Sequence, residues 1–520
     1  MELRKICSLL LVAGMATAVM AVPARPGGFL RTAEDGTEKV VFQYGDEHFH
    51  YLTDADGNWL DETTLQPLSE EVKAVRQQEG EARAKIRRAK QVTGLDRLLA
   101  PRGIVILANY KDKSFAKVNT NAAMTQWAMG DNYTYNGATG SIRQYFLDQS
   151  WGQYALEIDV VGPVTVSQKA SYYGQNNSNG DDMHPDELVV EACQLAHEQG
   201  ADFSKYDWDN DGKVDWVVII YAGKGEADGG ATNTIWPHQY ELSYTDMDFQ
   251  LDGKTVDHYC CLSEQDGQTG SRNGIGTFCH EFSHVMGLPD LYATNNATHH
   301  TLCDWDIMDA GPYNNDGNTP PAYSAYERWF MGWFQPTLVN TASSVILPDL
   351  TEYRTACYMT EQGDKIDDIL DPDPTVFYLF ENRQNNGWDE YIPGAGLLIT
   401  KVSFSEYKWV NNTVNNSKTS MGVDIMEAKA NTTSGNEAKA KSSDLYPEGA
   451  TTFTKNTNYQ ITNIALQNEV ITFDVNGGGA VINLNVENVQ QPTEVIKLIE
   501  EGKVVIIREG KRFDILGNRL

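Results

Sequence analysis

Positive charge is scarce in this chain: 41 Lys+Arg face 72 Asp+Glu across 520 residues, a net charge of −31. A balance so acidic repels polyphosphate and anionic membrane surfaces, and no nucleic-acid partner is expected. Long apolar runs are also lacking. After the N-terminal "ICSLLLVAGMATAVM" no stretch is long enough to span a bilayer, so no transmembrane segment is expected. Cysteine is sparse, with seven residues and no Cys-x-x-Cys pair, which leaves a thiolate zinc site without support. No internal repeat emerges, so nothing points to a solenoid.

What is present is a folded, exported chain. Aromatics are plentiful (Trp 11, Tyr 25, Phe 17), which argues against extensive disorder. The charged start Met1–Lys5, the apolar run and the small residues of "AVMA" form a signal peptide over residues 1–21, cut near Ala21 or Val22. The expected location is secreted or extracytoplasmic, in the periplasm or at the cell surface. Removal of the signal leaves six cysteines: Cys193, Cys260, Cys261, Cys279, Cys303 and Cys357. They permit 15 complete pairings, none selected by spacing, and several fit equally as buried thiols. The side chains of adjacent Cys260 and Cys261 should diverge if they lie in a strand.

Residues 22–100 read as a small β-rich propeptide ending in the charged, cleavable stretch "SEEVKAVRQQEGEARAKIRRAK" (69–90). That stretch is a target for an activating protease specific for Arg or Lys, and equally a surface helix. Residues 101–340 alternate apolar strands ("GIVILANY", "DWVVIIYAG") with helical periodicity ("DELVVEACQLAHEQG"). Such alternation predicts an α/β (α+β) catalytic domain. Residues 341–475 are β-rich. From 476 the glycines of "NGGGA" predict a linker, followed by a short β tail with a turn around Arg508–Lys511.

The chemistry concentrates in "FCHEFSHVMGLPDLY" (278–292). Residues four apart share a helix face, so His280 and His284 can address one ion. Glu281 beside them is placed to take a proton from water. Zinc in such a site brings the pKa of bound water to about 7. Gly287 allows a left-handed helix stop, Pro289 prevents the helix from resuming, and Asp290 follows. In the long zincin pattern His-Glu-x-x-His-x-x-Gly-x-x-His a third His stands there. Here it is Asp, an acceptable zinc ligand. Glu327, on a predicted helix in "PAYSAYERWFMGW", is the rival third ligand. Met308, in "CDWDIMDAGPY" (303–313), suits the methionine turn that accompanies this pattern, or is simply a core Met. Tyr313 is the candidate donor to the substrate oxyanion, with Tyr292 and Tyr323 nearby. His238 either lines the cleft or is structural, and His299 and His300 are expected to be exposed.

A second metal is expected in "DWDNDGKVD". Asp207, Asp209, Asp211 and Asp215 occupy positions 1, 3, 5 and 9 of a calcium loop, with Gly212 at 6 and the Lys213 carbonyl available. Position 12 is Val218, so the loop is incomplete as a calcium-binding pattern, and an acidic turn is the alternative.

Taken together, "HEFSHVMGLPDLY", "WDIMDAGPYNNDGNTPPAYSAYERWFMGW", "YDWDNDGKVDWVVIIYAGKGEADGG" and "FYLFENRQNNGWDEYIPGAGLLITKV" resemble the immune inhibitor A-type metallopeptidases, the sixth metallopeptidase family, over roughly residues 30–475. The resemblance implies an exported, zinc-dependent endopeptidase of proteins or peptides, made as a zymogen, with a zincin, metzincin-like catalytic domain. It names no substrate. A surface or binding protein with an inert zincin fold is the alternative, and the intact Glu281 argues against it. No cysteine lies in 22–100, which excludes a cysteine-to-zinc latch. Asp46, Glu47, His48 and His50 remain as latch residues or as members of an ordinary strand.

Overall fold

The computed structural model describes residues 21–46, 49–86, 100–177, 181–245, 247–295, 297–434, 439–454, 459–484, 496–500, 503–508 and 511–513. Most of the predicted signal peptide, the basic end of the stretch at 87–90, and Glu47 and His48 lie outside them.

The strand read from "GIVILANY" is Arg102–Asn109, at the heart of a five-stranded sheet. The strand order is Glu157–Thr165, Arg102–Asn109, Val217–Lys224, His258–Gln265, His238–Glu241. The first four run parallel and the last is an antiparallel edge. Successive side chains of a strand point to opposite faces, and here both faces are buried. Val105, Leu107, Val218, Ile220, Cys260 and Leu262 enter one core. Ile104, Ile106, Val217, Ile219, Tyr259 and Cys261 enter the other. Cys260 and Cys261 therefore diverge as expected, and all six described cysteines are free and buried. The second core is closed by helix Pro185–Glu198 through Leu188, Val189, Ala192 and Cys193. The first is closed by helix Gly276–Val285, in which every residue is buried. Phe282 of that helix packs edge-on to Trp216, ring centroids 4.8 Å apart. Full burial of an aromatic of this kind is worth roughly 1.5–3 kcal/mol.

The first core does not stop at residue 340. It continues through Tyr358, Phe377, Leu379, Leu398, Val402 and Trp409. These belong to or adjoin a second five-stranded sheet, ordered Thr337–Leu338, Cys357–Thr360, Val376–Arg383, Gly396–Ser403, Val423–Ile425. The β-rich texture after 340 thus packs on the same core as residues 101–340. The glycines from 476 lead into strand Ala480–Asn483, which pairs in parallel with Ser343–Leu347. The expected linker therefore carries a strand of the folded body, because its backbone groups find partners in that sheet. The tail is a three-stranded meander, Ile496–Glu500, Lys503–Arg508 and Lys511–Phe513. The architecture is mixed α/β. Among the described residues no helix is long and apolar enough to cross a membrane.

The N-terminal unit is a four-stranded antiparallel sheet, Gly28–Thr32, Glu38–Asp46, Phe49–Thr53 and Trp59–Leu60, followed by helix Glu70–Ile86. It docks on the loop after Val217–Lys224. The Gln43 amide donates to the Glu226 carbonyl at 3.3 Å. His50 stacks on Trp236 at 4.9 Å and lies 3.1 Å from the Glu226 carboxylate. Burial alone would lower the His50 pKa, but Glu226 outweighs it and lifts it to about 9.

Candidate metal centre and its peptide-filled groove

The helix carrying the two histidines ends as its glycine requires. Gly287 sits at φ 104°, its N–H donates to the His284 carbonyl at 2.9 Å, and that of Leu288 to the Ser283 carbonyl at 3.0 Å. This paired cap turns the chain sharply and returns Asp290 to the histidines. His280 Nε2 and His284 Nε2 are 3.1 Å apart. Asp290 Oδ1 lies 3.2 Å from the first and 3.1 Å from the second.

The imidazoles are oriented from behind. His280 Nδ1 meets the Ile307 carbonyl at 2.7 Å, and His284 Nδ1 meets the Leu288 carbonyl at 2.7 Å. A carbonyl only accepts, so each Nδ1 carries the proton and each Nε2 keeps its lone pair for the centre. Asp290 Oδ1 has no hydrogen-bond donor although it is buried. Three unprotonated donors spaced like the edges of a small tetrahedron fit a divalent cation. Ligands about 2.0–2.1 Å from zinc would lie roughly 3.3 Å apart.

The structure brings Asp290, not Glu327, to the histidine pair. Glu327 caps its own helix, Ala325–Phe330, accepting from the Ser324 N–H at 2.6 Å and the Ser324 hydroxyl at 2.9 Å. Burial lifts its pKa to about 7. Met308 is fully buried in the turn beside Ile307, and its carbonyl accepts from the Leu291 N–H at 2.8 Å.

One supporting residue escaped the sequence reading. Asn412 brackets Asp290: its Oδ1 accepts from the Asp290 N–H at 2.7 Å, and its Nδ2 donates to Asp290 Oδ2 at 2.5 Å. It lies 122 positions away in an Asn-rich loop whose spacing carries no metal signal. Asn412→Ala is expected to weaken metal affinity about 10–100-fold, the range for an outer partner of a ligand, as read by competitive chelator titration.

The groove over this centre contains a segment of the chain itself. Ala21 and Val22 are fully buried. The Val22 N–H donates to Glu281 Oε1 at 2.8 Å. The Ala21 carbonyl accepts from the Tyr292 hydroxyl at 2.7 Å, the Val22 carbonyl from the Trp236 indole at 3.0 Å, and the Pro23 carbonyl from the Tyr313 hydroxyl at 2.7 Å. Tyr323 serves the core instead, bonded to the Ser283 hydroxyl behind the helix. His238 is buried on the edge strand with Nδ1 2.7 Å from the Trp236 carbonyl. His300 is also buried, 3.5 Å from the Glu427 carboxylate, and His299 Nε2 meets the Asn415 carbonyl at 2.9 Å. Neither is the exposed loop residue expected, because the loop at 412–431 folds over them. Among the expected latch residues, His50 pairs with Glu226 and Asp46 accepts from the Phe49 N–H at 3.2 Å, as strand residues do.

In the acidic loop, Asp207, Asp209 and Asp211 converge so that one oxygen of each lies within 4.8 Å of the others. Asp215 does not join them, since its Oδ2 accepts from the Trp208 N–H at 2.7 Å and burial lifts its pKa to about 6. Lys254 already pairs with Asp207, and the Lys213 N–H donates to Asp211 Oδ1 at 2.7 Å. Lys213 itself is in strand Lys213–Val214, paired with Lys254–Val256.

Two histidines and a carboxylate around one point, with a glutamate between the histidines in sequence, define the metallopeptidase class of site. Comparison with known proteins agrees. Residues 107–335 match the family model described as immune inhibitor A peptidase M6, catalytic domain. It is 27% identical over 240 residues to immune inhibitor A of Bacillus thuringiensis subsp. alesti, covering 40% of this chain and 34% of the relative. It is 27% identical over 230 residues to the pre-pro-metalloprotease PrtV of Vibrio cholerae serotype O1, covering 38% and 24%. The chain thus spans about a third or less of the length of the curated relatives it matches.

Proposed function

We propose that this protein is an exported, zinc-dependent endopeptidase, made as a zymogen, that hydrolyses peptide bonds in proteins or peptides. The observation that carries the reading is the convergence of His280, His284 and Asp290 beside Glu281, at the floor of a groove that already accepts a peptide backbone.

Zinc held by those three residues would polarise a carbonyl and acidify water. Glu281 takes the proton from the attacking water and passes it to the leaving nitrogen. Its Oε1 already holds a backbone N–H, that of Val22. In this register Tyr292 donates to the carbonyl immediately before that nitrogen, and Tyr313 to a carbonyl two residues further on. Tyr292 is therefore the better placed of the two to steady a developing oxyanion, and Tyr313 orients the peptide. Met308, in the turn whose Ile307 carbonyl orients His280, forms the floor. Residues 22–25, at the start of the propeptide, cover Glu281 until activation, so latency comes from occupancy of the groove. The basic stretch 69–90 is the expected site of an activating protease. Asp207, Asp209 and Asp211, with the Lys213 carbonyl as a further oxygen, would hold a structural calcium in the place Lys254 takes beside Asp207, and Asp215 braces the loop from behind.

The test is metal removal. Processed protein treated with a zinc chelator is expected to lose casein hydrolysis and to regain it with one equivalent of zinc. Undiminished hydrolysis by protein shown to be metal-free would overturn the reading.

A further inference from the structure

The segment in the groove is fastened at its far end by a buried charge. The Arg25 guanidinium bonds Asp266 through one nitrogen and Asp316 through the other, at 2.5 Å, and the Arg25 N–H donates to the Ala227 carbonyl at 2.9 Å. Asp266 is built for this contact. Its Oδ1 accepts from the Gln268 N–H at 3.0 Å, the Thr269 N–H at 2.6 Å and the Thr269 hydroxyl at 2.9 Å. Those donors set the carboxylate plane and leave Oδ2 for the guanidinium. Asp266 is 4% exposed, so little water screens the pair. Behind it Asp228 is 6% exposed, accepts from the Gly267 N–H at 2.8 Å through Oδ2, and has no hydrogen-bond partner for Oδ1. Burial, with the neighbouring Asp266, raises the Asp228 pKa to about 7, and Arg25 opposes that shift. Asp316 stands exposed at the rim.

Two buried carboxylates and a third at the rim remain in the wall of the groove once residues 21–25 have left. Carboxylates held together in a poorly solvated wall are costly without a cation. We propose that Asp266, Asp228 and Asp316 form a substrate subsite that selects a basic side chain at the fourth residue after the cleaved bond. The register follows from Glu281. The nitrogen it holds is that of Val22, which stands where the leaving nitrogen must be, and Arg25 is the fourth residue counted from Val22 inclusive. Arginine suits the subsite better than lysine, because one planar guanidinium can meet two carboxylates at once. The proposal rests on the peptidase reading for the word substrate, but the recognition itself is independent of catalysis.

Both are tested on processed protein with two matched peptides, Val-Pro-Ala-Arg-Pro-Gly and the same peptide with Ala for Arg, followed by calorimetry. Two fluorogenic substrates differing by Arg or Ala at the fourth position after the scissile bond supply the kinetic arm. The Arg forms are expected to bind, and to be cleaved with kcat/KM, about 10–100-fold better, the range for charge-assisted bonds. Asp266→Asn should bring both ratios close to one. Asp316→Asn, at an exposed position that leaves the fold intact, should narrow them severalfold and supplies the test should the Asp266 variant not fold. Equal binding of the Arg and Ala peptides to wild type overturns the subsite. Discrimination in binding with no cleavage of either substrate upholds the subsite and sinks the peptidase reading instead.

Discussion

Glu281→Ala, assayed on processed protein with casein or a fluorogenic peptide, is expected to lower kcat/KM by about 10²–10⁴, the range for loss of a positioned acid–base group. Bound zinc should be unchanged, because Glu281 is not among the three donors that converge at 3.1–3.2 Å. The variant also leaves the Val22 N–H without its acceptor. In the zymogen, residues 22–25 should then be held less firmly, which limited proteolysis of that segment would report. Wild-type turnover in Glu281→Ala would end the proposed mechanism. It would also revive the alternative of an inert zincin fold whose apparent activity comes from a contaminant.

Asp290→Ala is expected to abolish stoichiometric zinc, a larger effect than the roughly 10–100-fold expected of an outer partner such as Asn412. Without the carboxylate only His280 and His284 remain, and Asn412 keeps only its bond to the backbone N–H of residue 290. The matched control is Glu327→Ala. That residue closes a capping box on helix Ala325–Phe330 with Ser324, and loss of a cap costs about 1 kcal/mol. The control should therefore lower Tm while keeping full zinc. Full zinc and activity in Asp290→Ala, with metal lost in Glu327→Ala, would reverse the ligand assignment.

The helix, its glycine stop and the return of Asp290 were readable from residues 278–292 because every contact among them is short in sequence. A helix face repeats at four residues, a left-handed glycine reverses the chain, and the next polar residue arrives within reach. The two-faced strands were readable for a similar reason, since continuous apolar runs mark strands buried on both sides. Readings that depended on distant partners fared differently. Glu327 carried a helix and a carboxylate in its local sequence, yet its side chain is taken up by its own cap. The glycines from 476 read as a linker, yet the strand after them pairs with Ser343–Leu347. Asn412 gave no local sign at all, because its role exists only where the loop after residue 410 crosses the metal centre.

The sequence by itself determined the chemistry: two imidazoles on one helix face, a glutamate beside them and a carboxylate returned by a turn, all set by backbone periodicity over thirteen residues (278–290). Only the tertiary structure decided which carboxylate meets the imidazoles, what holds it there, and that residues 21–25 lie across Glu281 with Arg25 on Asp266. Asn412 lies 122 positions from Asp290 and the segment contacts join positions 241–259 apart, and chain separations of that size are bridged by the packing of a whole core, which no local pattern encodes.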